Sequence, residues 1–229
     1  MNKASTIITQ NDDFIIAYKR AGLLSQKSSS GENSLESELA SKKLPKLHLQ
    51  SRLDRPVSGL VLFSLSSEFN KHYTRIQANG KVEKEYIALV EGQMARKGSE
   101  YELLEHFHVH DKKHLKARIS ETQTANFKPI QLKYKVLLTL DNYTVLSVVL
   151  NTGRFHQIRA QLAHIGFPVK GDVKYGARRG NKDRSIHLHS YKLRFRNLQG
   201  NKREYAALLP VGDTLWDLVA ETLDNREST

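Results

Sequence analysis

One aspartate of the chain lies between two arginines, in the segment Arg52-Leu53-Asp54-Arg55. Pro56 follows it and fixes one backbone angle, and Gly59 permits an unusual one. The apolar run from Leu60 to Phe63 then has the length and composition of a buried strand. This order predicts that Asp54 lies on a loop that enters the core, where a side chain is held rigidly and remains reachable.

A carboxylate in this setting can do chemistry. Positive charge nearby stabilises its ionised form, and an ionised, rigid carboxylate can act as a nucleophile or a base. A simpler interpretation is also open, because many aspartates beside arginines are solvated loop residues or members of surface ion pairs. The residues around Asp54 do not decide between the two by themselves.

Three longer segments favour a catalytic role for Asp54 over that of a solvated loop residue. The segment from Ser51 to Phe63 resembles the catalytic signature of the RluA family of pseudouridine synthases, His-Arg-Leu-Asp-x-x-Thr-Ser-Gly-Leu-Leu. The segment from Asn151 to Arg159 resembles that family's Thr-Gly-Arg-x-His-Gln-Ile-Arg, and Gly171 to Gly176 resembles its Gly-Asp-x-x-Tyr-Gly loop. Ser51 replaces the usual histidine and Val57 the usual threonine. Two long motifs in the family's order are a specific signal.

The resemblance implies roles for four residues. Asp54 matches the catalytic aspartate that forms a covalent intermediate during the conversion of uridine to pseudouridine. Arg159 matches the arginine that pairs with this aspartate. Tyr86 matches a tyrosine that stacks on the uracil and can take part in proton transfer, and Leu188 matches an apolar residue beside the base. The family reaction uses neither a metal nor a cofactor, so we expect none here.

RNA is the partner that the resemblance implies, and a base inside structured RNA must be flipped out before it can react. We expect basic side chains to hold the phosphates, although simple surface solubility is an equally open interpretation for each of them. The candidates are Lys19, Arg52, Arg55, Arg154, Lys170, Arg178 and Arg179.

Composition agrees with a nucleic-acid partner. The 229 residues carry a net charge of +12, and the isoelectric point is about 9.8, which favours binding to a polyanion. The absence of cysteine excludes disulfides and thiolate metal sites. No signal peptide or membrane-spanning run is present in the sequence, so we expect a cytoplasmic protein without a membrane partner. We also expect a monomer that acts on a structured stem-loop of ribosomal or transfer RNA.

Four histidines form the one feature that points elsewhere. His106, His108 and His110 alternate, and His114 follows them. On a strand the first three would share a face, and three histidines can bind zinc. The segment matches no metal motif, so contact with RNA or plain exposure is the favoured interpretation.

The pattern of apolar residues predicts an α+β fold. Helices are predicted at 34–44, 66–79, 155–165 and 215–223, and strands at 12–19, 60–65, 84–92, 132–140, 143–150, 186–196 and 202–209. Neighbouring strands read as hairpins, and the family resemblance likewise implies a mixed, largely antiparallel β-sheet with flanking helices and a central basic cleft. The region 93–128 shows no clear pattern.

We expect residues 1–10 to be loosely ordered and 11–223 to form a single pseudouridine synthase catalytic domain. A non-catalytic RNA-binding or assembly protein on the same fold is the alternative function. Binding alone does not need Asp54, Tyr86 and Arg159 together, so their presence favours the enzyme.

Overall fold

The computed structural model describes residues 6–29, 31–41, 44, 46–95, 100–150 and 152–227, and the side chains of 225–227 lie outside this description. The chain forms two compact units. The first comprises residues 1–84 and 189–208, and the second comprises residues 85–188 and 209–229. The prediction that 11–223 act as one catalytic domain stays a prediction.

The first unit contains a mixed sheet in the order β1-β2-β4-β10-β11, with β3 also paired to β4. The β4–β10 pair is parallel, and the other pairs in this unit are antiparallel. The elements are β1 (Ile7–Gln10), β2 (Phe14–Lys19), α1 (Leu35–Ala40), β3 (His48–Leu49), β4 (Ser58–Ser64), α2 (Ser67–Ala78), β10 (Leu188–Arg196) and β11 (Lys202–Ala206).

Helix α2 covers this sheet and begins where its sequence predicts. The Ser66 side chain accepts a hydrogen bond from the Phe69 amide, which satisfies one of the free donors of the first turn. Phe69, Tyr73 and Ile76 face the core, as their helical spacing predicts. Phe69 stacks on Phe14 with 4.7 Å between the ring centroids.

The start of the chain differs from its prediction. Ile7–Gln10 form strand β1, which pairs with β2 in antiparallel register, so residues 7–10 are not loosely ordered. The expectation failed because an edge strand needs pairing on one side only, and the backbone groups of this short segment supply it. Residues 1–5 lie outside the described part of the chain, as do residues 42 and 43 near the end of the predicted helix 34–44.

The second unit is built on strands in the order β5-β9-β8-β6-β7. The β6–β7, β6–β8 and β8–β9 pairs are antiparallel. The elements are β5 (Glu83–Glu91), β6 (Glu102–Asp111), β7 (Lys116–Ser120), β8 (Lys128–Thr139), β9 (Tyr143–Leu150), α3 (Gln157–His164), a 3-10 turn (Val173–Tyr175) and α4 (Thr214–Glu227).

These elements confirm the predicted α+β class with a mixed, largely antiparallel sheet. The β8–β9 hairpin turns at Asp141 and Asn142 as predicted, with the Leu140 amide bonded to the Tyr143 carbonyl. The β6–β7 hairpin lies in the region where the sequence showed no pattern. None of the helices in the described ranges is long and apolar enough to cross a lipid bilayer.

Candidate active site

Asp54 lies on the loop before β4, as predicted, and is half-buried. Main-chain atoms fix the loop on both sides of this residue. The Leu53 amide donates to the Ser25 hydroxyl at 3.0 Å, and that hydroxyl donates to the Leu53 carbonyl at 2.9 Å. The Val57 amide donates to the carbonyl of Asp54 at 3.0 Å and closes the turn. The loop therefore presents the Asp54 carboxylate from a rigid backbone.

Gly59 explains why the motif has a glycine at the start of the strand. Its φ is +115°, and a Cβ added to it would overlap the carbonyl oxygen of Ser190 and lie 2.6 Å from the Ser190 nitrogen. The parallel pairing of β4 with β10 places the two backbones this close, with His189 opposite Ser58 and Ser190 opposite Gly59. The Ser58 hydroxyl and Nδ1 of His189 are 2.8 Å apart.

We predict that Gly59→Ala destabilises the protein by roughly 3 kcal/mol, since backbone strain and overpacking each cost about 1–3 kcal/mol. Chemical denaturation of the two proteins would measure the difference. Gly80→Ala is the matched control, because Gly80 also has a positive φ but a Cβ added there would meet nothing within 4 Å. Equal losses in the two variants would contradict the role of the Ser190 contact.

Lys19 is a correction to the sequence analysis, which placed it among the phosphate contacts. Its side chain is completely buried. The ammonium donates to the carbonyls of Leu23 at 2.8 Å, Arg20 at 3.2 Å and Arg55 at 3.3 Å. Lys19 therefore ties the Arg20–Leu23 turn to the Asp54 loop and cannot reach a phosphate. A basic residue in the sequence gives no sign that three carbonyls will surround it.

Burial lowers the pKa of Lys19 to about 7, and the nearby Asp54 carboxylate opposes this shift. The unfolded chain keeps the usual pKa near 10.5, so between pH 7 and 10.5 the unfolded state binds the additional proton. We predict that the free energy of unfolding of the wild type rises with pH in this window relative to Lys19→Met. Denaturant titrations at several pH values would test this, with Lys71→Met, an exposed lysine, as the control. A constant difference between wild type and Lys19→Met would refute it.

Two arginines flank Asp54 and differ in their surroundings. Arg52 is exposed. Arg55 is also exposed, but its Nε donates to the Gly22 carbonyl at 3.1 Å and its Nη1 lies 2.8 Å from Glu32. The side chain of Arg55 thus holds the Gly22 turn, and Arg52 is the more available of the two cations.

Arg159 lies in the first turns of α3 in the second unit, and its side chain is almost fully buried. Its Nε and Nη2 donate to the two carboxylate oxygens of Asp172 at 2.6 and 2.9 Å. The guanidinium also lies 5.1 Å from the ring centre of Tyr175. Both partners belong to the Gly171–Gly176 loop, whose motif resemblance was the only available signal for them. The bidentate pair fixes the plane of the guanidinium, and the predicted pairing of Arg159 with Asp54 stays a prediction.

Glutamines hold the start of α3 in place. The side-chain oxygen of Gln157 accepts from the Arg154 amide at 3.0 Å and from the Thr152 hydroxyl at 2.8 Å. Its amide nitrogen donates to the Gln131 carbonyl and to Gln161, both at 3.0 Å. This network positions the helix that carries Arg159.

The remaining candidate residues differ in their burial. Tyr86 on β5 and Leu188 at the start of β10 are buried, with 7% and 3% of their surfaces exposed. Lys170 donates to the Asn181 side chain at 2.8 Å. The other three candidate phosphate contacts, Arg154, Arg178 and Arg179, are exposed.

The four histidines of the β6–β7 hairpin do not converge on one site. His108 contacts the Phe155 carbonyl at 2.9 Å, His110 stacks on the Phe155 ring, and His114 pairs with Asp111 at 2.8 Å. His106 lies 3.4 Å from Glu121, which also contacts His164 at 2.6 Å. Within the described ranges, this last group is the one with metal-ligand spacing, and it contains only one of the four.

Hydrogen bonding in the His106 group fits a network better than a metal site. Gln161 Nε2 lies 3.0 Å from His106 Nδ1 and 3.2 Å from the Leu104 carbonyl, while Gln161 Oε1 accepts from Gln157. His106 Nδ1 is therefore an acceptor, and the ring proton lies on Nε2, toward Glu121. A metal at Nε2 would need that proton on Nδ1. Burial lowers the pKa of His106, which favours this neutral form.

The fold is that of known pseudouridine synthases. The solved structure of human RNA Pseudouridylate Synthase Domain Containing 1 matches with a TM-score of 0.74, covering 95% of this chain and 94% of the human chain at 22% identity. A likeness at this identity shows the fold alone.

Sequence comparison gives the family. The RNA pseudouridylate synthase family profile matches residues 13–164. A tRNA pseudouridine synthase C of Haemophilus ducreyi is 31% identical over 182 residues, 74% of this chain and 73% of the relative. The protein of the same name from Vibrio parahaemolyticus is 29% identical over 209 residues, 82% and 83% of the two chains. The chain belongs to the RNA pseudouridylate synthase family, and it is an isomerase that converts uridine in RNA to pseudouridine. The predicted RluA-type resemblance and reaction are confirmed.

Proposed function

We propose that the enzyme modifies a uridine in a stem-loop of transfer RNA and that Asp54 is its nucleophile. The observation that carries the mechanism is the family match over residues 13–164, which contains Asp54, Tyr86 and Arg159. The rigid main-chain support of the Asp54 loop fits a carboxylate that must attack with defined geometry. Attack splits one difficult rearrangement into easier steps.

The other roles follow from the same family membership. Tyr86 stacks on the flipped uracil and takes part in proton transfer, and Leu188 packs beside the base. Arg159, oriented by Asp172, serves as the cationic partner of the nucleophile. Exposed cations are the proposed phosphate contacts, namely Arg52, Arg154, Arg178 and Arg179.

Transfer RNA is preferred over ribosomal RNA because the relatives from Haemophilus ducreyi and Vibrio parahaemolyticus, which match over most of both chains, carry the name tRNA pseudouridine synthase C. A stem-loop offers unpaired bases that cost little to flip. A monomeric state and a cytoplasmic location complete the proposal.

Tritium release from RNA labelled at uracil C5 tests the substrate. The wild-type enzyme would be incubated separately with total transfer RNA and total ribosomal RNA from the same cells. We expect release from the transfer RNA pool. Release from the ribosomal pool alone would overturn the choice of substrate, and release from neither would overturn both substrate classes.

A further inference from the structure

Three aromatic rings form a continuous stack in the second unit. The His110 ring lies 3.9 Å from Phe155 with an interplanar angle of 27°, and the Phe155 ring lies 3.7 Å from His156 at 19°. His110 belongs to β6, and the other two residues immediately precede α3. We call these three residues the ring stack. None of the roles proposed above uses it.

Contacts beneath the rings hold the stack in place. His108 Nε2 lies 2.9 Å from the Phe155 carbonyl, and His156 Nδ1 lies 2.9 Å from the Tyr175 hydroxyl. That hydroxyl accepts from the Ala117 amide at 2.7 Å. His156 has a φ of 53°, which is unusual for a residue with a side chain and indicates local strain. The surrounding contacts therefore hold the rings in place although the backbone of His156 is strained.

The outermost ring is open to solvent. His110 is exposed and Phe155 is half-buried, whereas rings that serve only as core packing are normally covered. Phe155 also occupies the variable position x of the Thr-Gly-Arg-x-His-Gln-Ile-Arg segment. The stack is therefore a feature of this chain that the motif does not require.

Cationic residues are sequence neighbours of the stack. Arg154 precedes Phe155, and the exposed Lys112 and Lys113 follow His110 at the tip of the β6–β7 hairpin. Asp111, the carboxylate at this tip, accepts from the His114 amide at 3.1 Å and contacts its Nδ1 at 2.8 Å. An exposed aromatic face bordered by cations is the combination that binds single-stranded RNA, since bases stack on rings and phosphates contact cations.

We propose that the ring stack is a platform for an unpaired base of the RNA substrate, which stacks on the open face of His110. The neighbouring cations at Arg154, Lys112 and Lys113 hold the adjoining phosphates. This assignment rests on the proposed function, because a stem-loop substrate supplies the unpaired base. It makes His110 a substrate-positioning residue that selects RNA with an accessible loop base.

Binding of a short single-stranded RNA tests the platform. The probe is a ten-nucleotide RNA with one 2-aminopurine, whose fluorescence falls when it stacks, and anisotropy of an end label gives Kd. We expect His110→Ala to raise Kd about tenfold and to abolish the quenching, since loss of one base–ring stack costs roughly this much. His110→Phe keeps a ring and should retain both affinity and quenching.

His72→Ala is the matched control, because His72 is a partly exposed histidine of α2 in the other unit. Equal Kd values for His110→Ala and His72→Ala would overturn the platform, and so would a loss in His110→Phe as large as that in His110→Ala. With labelled transfer RNA, His110→Ala should raise KM and leave kcat unchanged. If the wild type releases tritium from transfer RNA and His110→Ala has the same KM, the platform is wrong and the proposed substrate stands. If the wild type releases no tritium, the proposed substrate is wrong, and the Kd values for the short RNA still test the platform.

Discussion

Asp54→Asn should reduce pseudouridine formation by about 10⁴-fold or more, because an amide has the shape of the carboxylate but cannot serve as the nucleophile. The affinity for RNA should change by no more than about twofold, since Asp54 carries a negative charge and contributes nothing to phosphate binding. Tritium release would measure turnover, and anisotropy of labelled transfer RNA would measure binding. Asp12→Asn, an exposed aspartate of the same unit, is the control.

The same variant should keep the backbone conformation of its loop. The hydrogen bonds that fix the loop use the main chain of Leu53, Asp54 and Val57 with the Ser25 hydroxyl, and all of them survive the change. The change also removes the negative charge that faces the buried Lys19 ammonium, so turnover is compared at a temperature at which denaturation shows that Asp54→Asn is fully folded. Near-normal turnover in a folded Asp54→Asn protein would show that another group is the nucleophile.

Much of the first unit could be predicted because its local signals agree with its packing. The Ser66 cap and the spacing of Phe69, Tyr73 and Ile76 define α2, and the apolar run after Asp54 defines β4. The β6–β7 hairpin could not be predicted in the same way. Its buried positions include His106 and His108, which are polar residues. The alternation of apolar and polar residues that indicates a half-buried strand is therefore missing from the sequence.

The candidate site was predicted only as far as its motifs extend. Asp54 lies on its loop because the residues that shape the turn are adjacent in sequence. The burial of Lys19 depends on the Arg55 carbonyl, 36 residues away, and the pairing of Arg159 depends on Asp172, 13 residues away. The sequence identifies a charged residue, but the tertiary structure determines whether that residue is buried and which group it pairs with.

The Arg159–Asp172 pair should give the second large effect. Its two side chains are 5% and 2% exposed, so removal of the carboxylate leaves a buried guanidinium without its bidentate partner. Breaking a buried pair from one side costs about 3–5 kcal/mol, and we expect this loss of stability in Asp172→Ala. Denaturant titration would measure it against Asp141→Ala, an exposed aspartate of the β8–β9 turn.

A role in orienting Arg159 predicts more than a loss of stability. Asp172→Asn keeps the shape and one acceptor oxygen, so it should fold better than Asp172→Ala. If Asp172 positions Arg159 for chemistry, kcat of Asp172→Asn should fall by about 10²-fold at a temperature where the variant is fully folded, because misplaced catalytic groups cost this much. KM should stay nearly constant. An unchanged kcat in the folded variant would reduce Asp172 to a structural residue, since lost stability alone lowers the amount of active enzyme and leaves its turnover intact.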